Sequence, residues 1–394
     1  MKLFRAICIS ILGIISIQIH AQTSTCLNAI NQINNDSLIA KLRLIIGLDS
    51  VKSSSGNYLI SSRYESHPGN ALAENYLAQQ LADYGYSIQN IPFSITGRNI
   101  IGYKPGSVNP KTAYIFSAHF DCVGNASQPF QGADDNGSGV AAVLEAARVL
   151  KDLSFPYTII FALWDEEEQG LIGSKAFAPD GPDGYWDINL MMNLDMIAWD
   201  GNDDQKALIH SNNIGRSQAY ANKLYQFNDS FQTGLSPFIK NPGTDASDHK
   251  SFWLTGTTAI GFTEDYDNDI SPHWHKFSDS LTNLKLPYFY QMTRLAIGGF
   301  CEFAYRPQLV GIPFPTAPSQ LCVYPNPVTG NLKIDGLTGN ENIQIMSLNG
   351  MILHKVSNTN IIDFSDFPNG LYFISICKLN EVPQWFKIIK SSSN

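Results

Sequence analysis

Between Asp36 and about Arg306 the chain alternates two kinds of apolar pattern. Asn70 to Tyr84 sets Ala71, Leu72, Tyr76, Leu77 and Leu81 at helical spacing and stops at Gly85. Gly137 to Asp152 repeats the pattern with Val140, Val143, Leu144, Ala147 and Leu150. Between and after these helices lie short continuous apolar runs, 113–118, 158–164, 190–194 and 258–262. Unbroken runs of that length predict strands covered on both faces, and the order predicts an α/β domain with a largely parallel central sheet.

The pattern breaks at 311–320, where three prolines fall within ten residues and predict a linker. Beyond it the apolar positions alternate with period two, as in Leu332 and Ile334, Ile343 and Ile345, or Tyr372, Ile374 and Ile376. Asn349-Gly350 and Asn369-Gly370 supply hairpin turn residues, so the tail is expected to be a small all-β sandwich. The expected organisation is a leader over 1–21, a catalytic domain over 22–310, a linker over 311–321 and the sandwich over 322–394.

The leader follows from Met1 to Ala21. Lys2 and Arg5 precede a mostly apolar stretch, and Ile7 to Ile19 is 13 residues against the roughly 20 a spanning helix needs. That pattern predicts a secretory signal peptide and no transmembrane anchor in the mature chain. Of 394 residues, 44% are hydrophobic and 15% charged, which excludes wholesale disorder. The formal charge is -9, and removing 1–21 takes two bases and no acid, giving -11. An acidic balance argues against nucleic acid as a partner. Export permits disulfides, but the five cysteines left in the mature chain are too few for a disulfide scaffold.

Five places put carboxylates or histidines where predicted buried strands end. His119 and Asp121 close the run at 113–118; a histidine can ligate a metal while a nearby aspartate takes its other ring proton. Taken alone, such a histidine is an ordinary hydrogen-bonded residue. Asp134-Asp135-Asn136 precedes a helix, where a capping role is the bland alternative. Two adjacent carboxylates repel unless a cation faces one of them, and a single aspartate can bridge two metals. Asp165-Glu166-Glu167-Glu168 follows the run at 158–164. Four acids in a row usually form a solvated loop, yet here they stand where open α/β sheets place their sites. One glutamate of Glu167-Glu168 can bind metal while its neighbour takes a proton from water. Asp195 closes 190–194, and His275 lies in Pro272-His-Trp-His-Lys-Phe-Ser-Asp279. Each has a bland reading as a cap or surface residue; together the five predict a metal site.

As an ordered set these residues resemble the zinc exopeptidases of the M28 aminopeptidase family. The resemblance covers roughly Asp36 to Arg306 and includes Ser62-Arg63-Tyr64, Gly69 and the helix at Asn70. It implies a three-layer α/β/α zinc exopeptidase fold holding two zinc ions. Carried over, it makes Asp134 the bridging ligand, joined to Asp135 by a cis peptide. His119 and Asp195 would hold one zinc, and Glu168 and His275 the other. It makes Glu167 the general base and Asp121 the partner of His119. His273 competes with His275, and the spacing to Asp279 selects the latter. Ser247-Asp248-His249 also has a counterpart in the family, away from the metal positions.

The tail segments Val323-Tyr-Pro-Asn-Pro327, Met346 to Gly350, Phe367 to Tyr372 and Lys387 to Lys390 resemble the C-terminal sorting domain of type IX secretion substrates. Together the two resemblances imply a secreted or cell-surface aminopeptidase. It would reach the surface through the periplasm of a Gram-negative bacterium, with peptides and the type IX machinery as partners. A glutaminyl cyclase-like transferase, which keeps one zinc, and a carboxypeptidase or dipeptidase are the alternatives on the same fold.

Overall fold

Strand β4 (Tyr157–Trp164) is buried at every residue, and its side chains sort by parity. Ile159, Phe161 and Leu163 enter one apolar cluster, while Ile160, Ala162 and Trp164 enter a second on the opposite face. A strand with two covered faces has no need of polar alternation, which is why its sequence reads as an unbroken apolar run.

The protein is described by a computed structural model over residues 25–53, 56–178, 186–306, 321–337, 341–347, 352–357, 359–378 and 384–392. The chain falls into two units, Met1–Ile312 and Pro313–Asn394. In the first, eight strands form one sheet: β1 (Ser87–Pro92), β2 (Arg98–Lys104), β3 (Asn109–His119), β4, β5 (Asp187–Leu194), β6 (Lys206–His210), β7 (Ser236–Lys240) and β8 (Ala259–Thr263). Their order is β1-β2-β4-β3-β5-β8-β6-β7. The four central strands β4, β3, β5 and β8 run parallel, and β2 and β6 flank them antiparallel. The larger cluster packs the helices Asn35–Ile45, Pro68–Asp83, Gly139–Leu150, Ser217–Phe231 and Leu286–Tyr305 on one face. The short helices Ile172–Phe177 and His249–Leu254 cover the other, so the unit has the expected three layers and mixed sheet.

The predicted helix at 70–84 forms as Pro68–Asp83 and ends before Gly85, whose φ is +87°. The helix predicted from Gly137 starts later. Asp135 and Asn136 have non-helical φ/ψ, and the regular helix begins at Gly139. A disulfide joins Cys26 to Cys301, tying the first described residues to the last helix of the unit.

In the second unit, β9 (Cys322–Tyr324), β10 (Asn331–Asp335) and β13 (Ile361–Asp363) form one antiparallel sheet. β11 (Glu341–Ser347), β12 (Ile352–Ser357), β14 (Gly370–Lys378) and β15 (Gln384–Lys390) form another. Leu332 and Ile334 from the first meet Ile343, Ile345, Ile374 and Ile376 from the second in one core, as the period-two pattern predicts. The expected leader, the turn at Asn349-Gly350 and all of the expected linker except Leu321 lie outside the described residues. Among the described residues no helix is long and apolar enough to cross a membrane.

Candidate metal centre

Parallel strands β3, β4, β5 and β8 all end on the same edge of the sheet. Their last residues or the residues just after them are His119, Asp165 to Glu168, Asp195 and Glu264. A histidine and acids at the C-terminal ends of four adjacent strands share one crevice by topology alone. Two groups of ligand-type atoms assemble there: His119 with Glu167 and Asp195, and Asp135 with Glu168 and His275. Within each group the atoms lie inside 4.8 Å of one another.

Asp135 links the groups. Its Oδ1 lies 3.4 Å from Nε2 of His119, and its Oδ2 lies 3.2 Å from Nε2 of His275. The resemblance assigns this place to Asp134, and the geometry puts Asp135 there instead. The Asp134 carboxylate turns the other way, accepting the Ala198 N–H at 2.9 Å and hydrogen-bonding the Glu264 carboxyl. The cis peptide likewise joins Asp135 to Asn136, not Asp134 to Asp135. Burial pushes Asp134 up to about 7 and Glu264 well above the usual carboxylate range, so this pair holds a proton beneath the site.

The remaining expected residues converge. Nε2 of His119 is 3.3 Å from Oδ1 of Asp195, and Nε2 of His275 is 3.3 Å from Oε2 of Glu168. Oδ1 of Asp121 lies 3.3 Å from Nδ1 of His119. The Asp121 carboxylate also accepts the main-chain N–H groups of Glu167 and Glu168, each at 3.1 Å. One carboxylate thus orients both the imidazole and the loop that carries two acids. His273 is outside both groups; its Nδ1 is 3.0 Å from the Ser278 hydroxyl.

Ser247 donates to Asp195 at 2.6 Å and accepts from the Asn193 side chain at 2.8 Å, which gives the Ser247-Asp248-His249 stretch a supporting role beside Asp195. Asp279 accepts the Asp134 and Asp135 N–H groups. The sequence reading used it only as a spacing marker for His275. Glu264 is not among the residues expected from sequence, although it obeys the rule that points to Asp195, an acid closing an apolar run.

The backbone is unusual at the same places. Glu166, Leu171, Met196 and His275 have positive φ between 53° and 61° although none is glycine. Such conformations in non-glycine residues gather where a site fixes side-chain direction at the expense of local comfort.

The electrostatics fit a cation. Burial, together with Asp248, Asp195 and Glu168, pushes Glu167 well above the usual carboxylate range against the pull of His119. Burial and Asp135 push Glu168 up to about 7. Donating to the Asp135 and Glu168 carboxylates raises His275 to about 10, and Asp195 and Glu167 raise His119 well above the usual imidazole range although burial pulls the other way. Oε1 of Glu168 is buried with no hydrogen-bond partner among the described residues. Carboxylates this crowded, with imidazole nitrogens aimed among them, are the donor set of a divalent metal that accepts both nitrogen and oxygen.

The two groups open into a cavity of about 530 Å³ whose far walls include Leu171, Met196, Tyr266, Ile270 and Trp274. Its one cationic side chain besides His275, among the described residues, is Lys175. Lys175 is exposed and donates to the Gly170 carbonyl.

Residues 322–391 match the secretion system C-terminal sorting domain, and residues 99–298 match peptidase family M28. A probable leucine aminopeptidase of Arthroderma otae is 29% identical over 228 residues, covering 54% of this chain and 58% of that protein. The chain therefore spans a little over half the length of that relative. The Legionella pneumophila LapA aminopeptidase superposes with a TM-score of 0.61 at 21% identity, over 71% of this chain and 74% of that one. A Bacteroides thetaiotaomicron glutaminyl cyclase bound to N-acetylhistamine gives 0.54 at 20% identity, over 70% and 98%. At such identities the solved structures speak for the fold alone. With half the chain under the family match and the ordered acids and histidines gathered at one sheet edge, the protein belongs to peptidase family M28.

Proposed function

We propose that the protein is an exported aminopeptidase using two zinc ions. The observation that carries this reading is the place of Asp135 between His119 and His275. It supplies one carboxylate oxygen to each of two groups of ligand atoms. His119 and Asp195 would hold one ion, Glu168 and His275 the other, and Asp135 both. When bound, zinc supplies Lewis-acid chemistry, polarising the scissile carbonyl and making the attacking water more acidic.

Glu167 is left as the general base. Its carboxylate is buried beside His119 and Asp195, and it takes the proton from the attacking water and passes it to the leaving amine. Asp121 keeps His119 in the tautomer whose Nε2 faces the site. The apolar walls exclude bulk water from the reacting bond and receive the substrate side chain.

Of the acids lining the cavity, Asp245 is the one given no metal or base role and is left for a peptide's free ammonium. A carboxypeptidase would need a cation for the terminal carboxylate, and among the described residues the lining offers, besides His275, only Lys175, already engaged with a carbonyl. The polarity supports attack from the N-terminus. The tail match supports export through type IX machinery to the medium or cell surface, by way of the periplasm, with the catalytic domain over 22–310 and the sorting domain over 322–394.

Two measurements test the reading. Metal analysis after zinc loading should give two ions per chain; one ion would favour a glutaminyl cyclase-like activity. Digestion of a mixed peptide library, read by mass spectrometry, should show loss of single N-terminal residues. Trimming from the C-terminus would overturn the assignment.

A further inference from the structure

Arg63 is fully buried, and no salt bridge to a carboxylate is found for it among the described residues. Among the described residues its guanidinium binds only main-chain carbonyls: Nε to Phe120 at 2.6 Å, Nη1 to Gln131 at 2.6 Å and to Ile45 at 3.2 Å, Nη2 to Gly132 at 2.8 Å. Burying a charge without a counter-charge is costly, so four such bonds in one place call for a reason. The partners supply it. Phe120 follows His119 directly, and Gln131 and Gly132 lead into Asp134-Asp135. One rigid fork thus joins the residue just after one cluster residue to the segment that leads into another.

Gly132 fits this arrangement and little else would. Its φ is +53°, and a Cβ there would meet the Asp135 carbonyl oxygen at 2.5 Å and Nη2 of Arg63 at 2.9 Å. The segment also reaches a third loop. Asn70 donates through Nδ2 to the Arg63 carbonyl at 3.0 Å and to Oδ1 of Asp165 at 2.9 Å, and Asp165 opens the stretch carrying Glu167 and Glu168.

We propose that Arg63 and Asn70 are positioning residues for the metal centre: together they lock the loops bearing His119, Asp135 and the Glu167-Glu168 pair in one register before any metal arrives. This inference rests on the dizinc reading above. Neither residue touches the reacting atoms; both act through main-chain placement of the ligands. Lysine cannot replace Arg63, because a single ammonium has three donors on one atom and cannot span four carbonyls held by a planar fork.

The test uses the full chain, stripped of metal with a chelator and titrated with zinc against a competing fluorescent chelator. Arg63→Lys is expected to weaken zinc binding by about 10- to 100-fold, the range seen when groups supporting metal ligands are lost. It should lower kcat with little change in KM. Glu145→Gln, a buried change away from the centre, serves as the control and should lower the melting temperature while leaving zinc affinity within twofold. If Arg63→Lys does not fold, Asn70→Ala carries the same expectation. Wild-type zinc affinity and kcat in a folded Arg63→Lys or Asn70→Ala overturn the proposal. So does a loss of affinity in Glu145→Gln as large as theirs. If the wild-type chain itself binds no zinc, the dizinc reading fails and this one with it; a wild type that binds zinc beside unaffected variants overturns this one alone.

Discussion

The carboxylate of Asp279 accepts the main-chain N–H of Asp135 at 3.1 Å through one oxygen and that of Asp134 at 2.9 Å through the other. The side chain that links the two ligand groups is therefore aimed by a residue 144 positions further on. Asp279 is itself buried, and burial with the neighbouring Asp134 pushes it up to about 8.

Asp279→Ala should leave both N–H groups without partners and free Asp135 to turn. Zinc affinity is expected to fall by about 10- to 100-fold. Asp279→Asn keeps one acceptor oxygen and should fall between the alanine variant and the wild type. Equal zinc affinity in all three proteins would show that Asp135 needs no such support.

Asp134 and Asp135 should behave as opposites. Asp135→Asn removes the carboxylate charge shared by the two groups and is expected to cut zinc binding to less than one ion per chain. Asp134→Asn alters a carboxyl that already holds a proton with Glu264 and donates nothing to either group, so it should bind two ions and lose stability only. Metal analysis of the two variants decides; the reverse result would restore the assignment made from sequence.

That one-residue error shows where the sequence stopped being informative. The strand ends were legible because β3, β4 and β5 are buried on both faces, and an acid or histidine after such a run can reach only the sheet edge. Direction within Asp134-Asp135 was not legible. It depends on a turn whose φ/ψ belong to no regular element and on Asp279 far along the chain. Strands β6 and β7 are not legible for a related reason. Lys206–His210 and Ser236–Lys240 are short, and β7 is only half-buried, so neither makes a long apolar run.

Glu167→Gln should keep the fold and both zinc ions, because Asp135, Asp195, Glu168 and the two histidines remain. Without a base at that position kcat is expected to fall by about 10²- to 10⁴-fold, with KM little changed. Steady-state hydrolysis of aminoacyl anilides, paired with metal analysis, is the check. Rates equal to wild type would remove Glu167 from the mechanism.

The stability of the first unit rests partly on Glu145, which is fully buried. It accepts from Lys41 Nζ at 2.9 Å, the Ser37 hydroxyl at 2.9 Å, the Asn34 N–H at 3.0 Å and Arg148 at 2.7 and 2.9 Å. Burial alone would raise its pKa, but Arg148, the Asn34 N–H and Lys41 together hold it below the usual carboxylate range. Glu145→Gln leaves Lys41 buried without a counter-charge, which should cost about 3 to 5 kcal/mol of unfolding free energy at pH 7. A folded-state pKa below the unfolded value of about 4.3 means this contribution is complete above that pH and lost as pH falls through the lower folded value. Urea unfolding of wild type and variant should therefore give a constant gap from pH 7 to about 5, closing below about 4. A gap that stays open in acid would mean that the variant lost packing rather than charge.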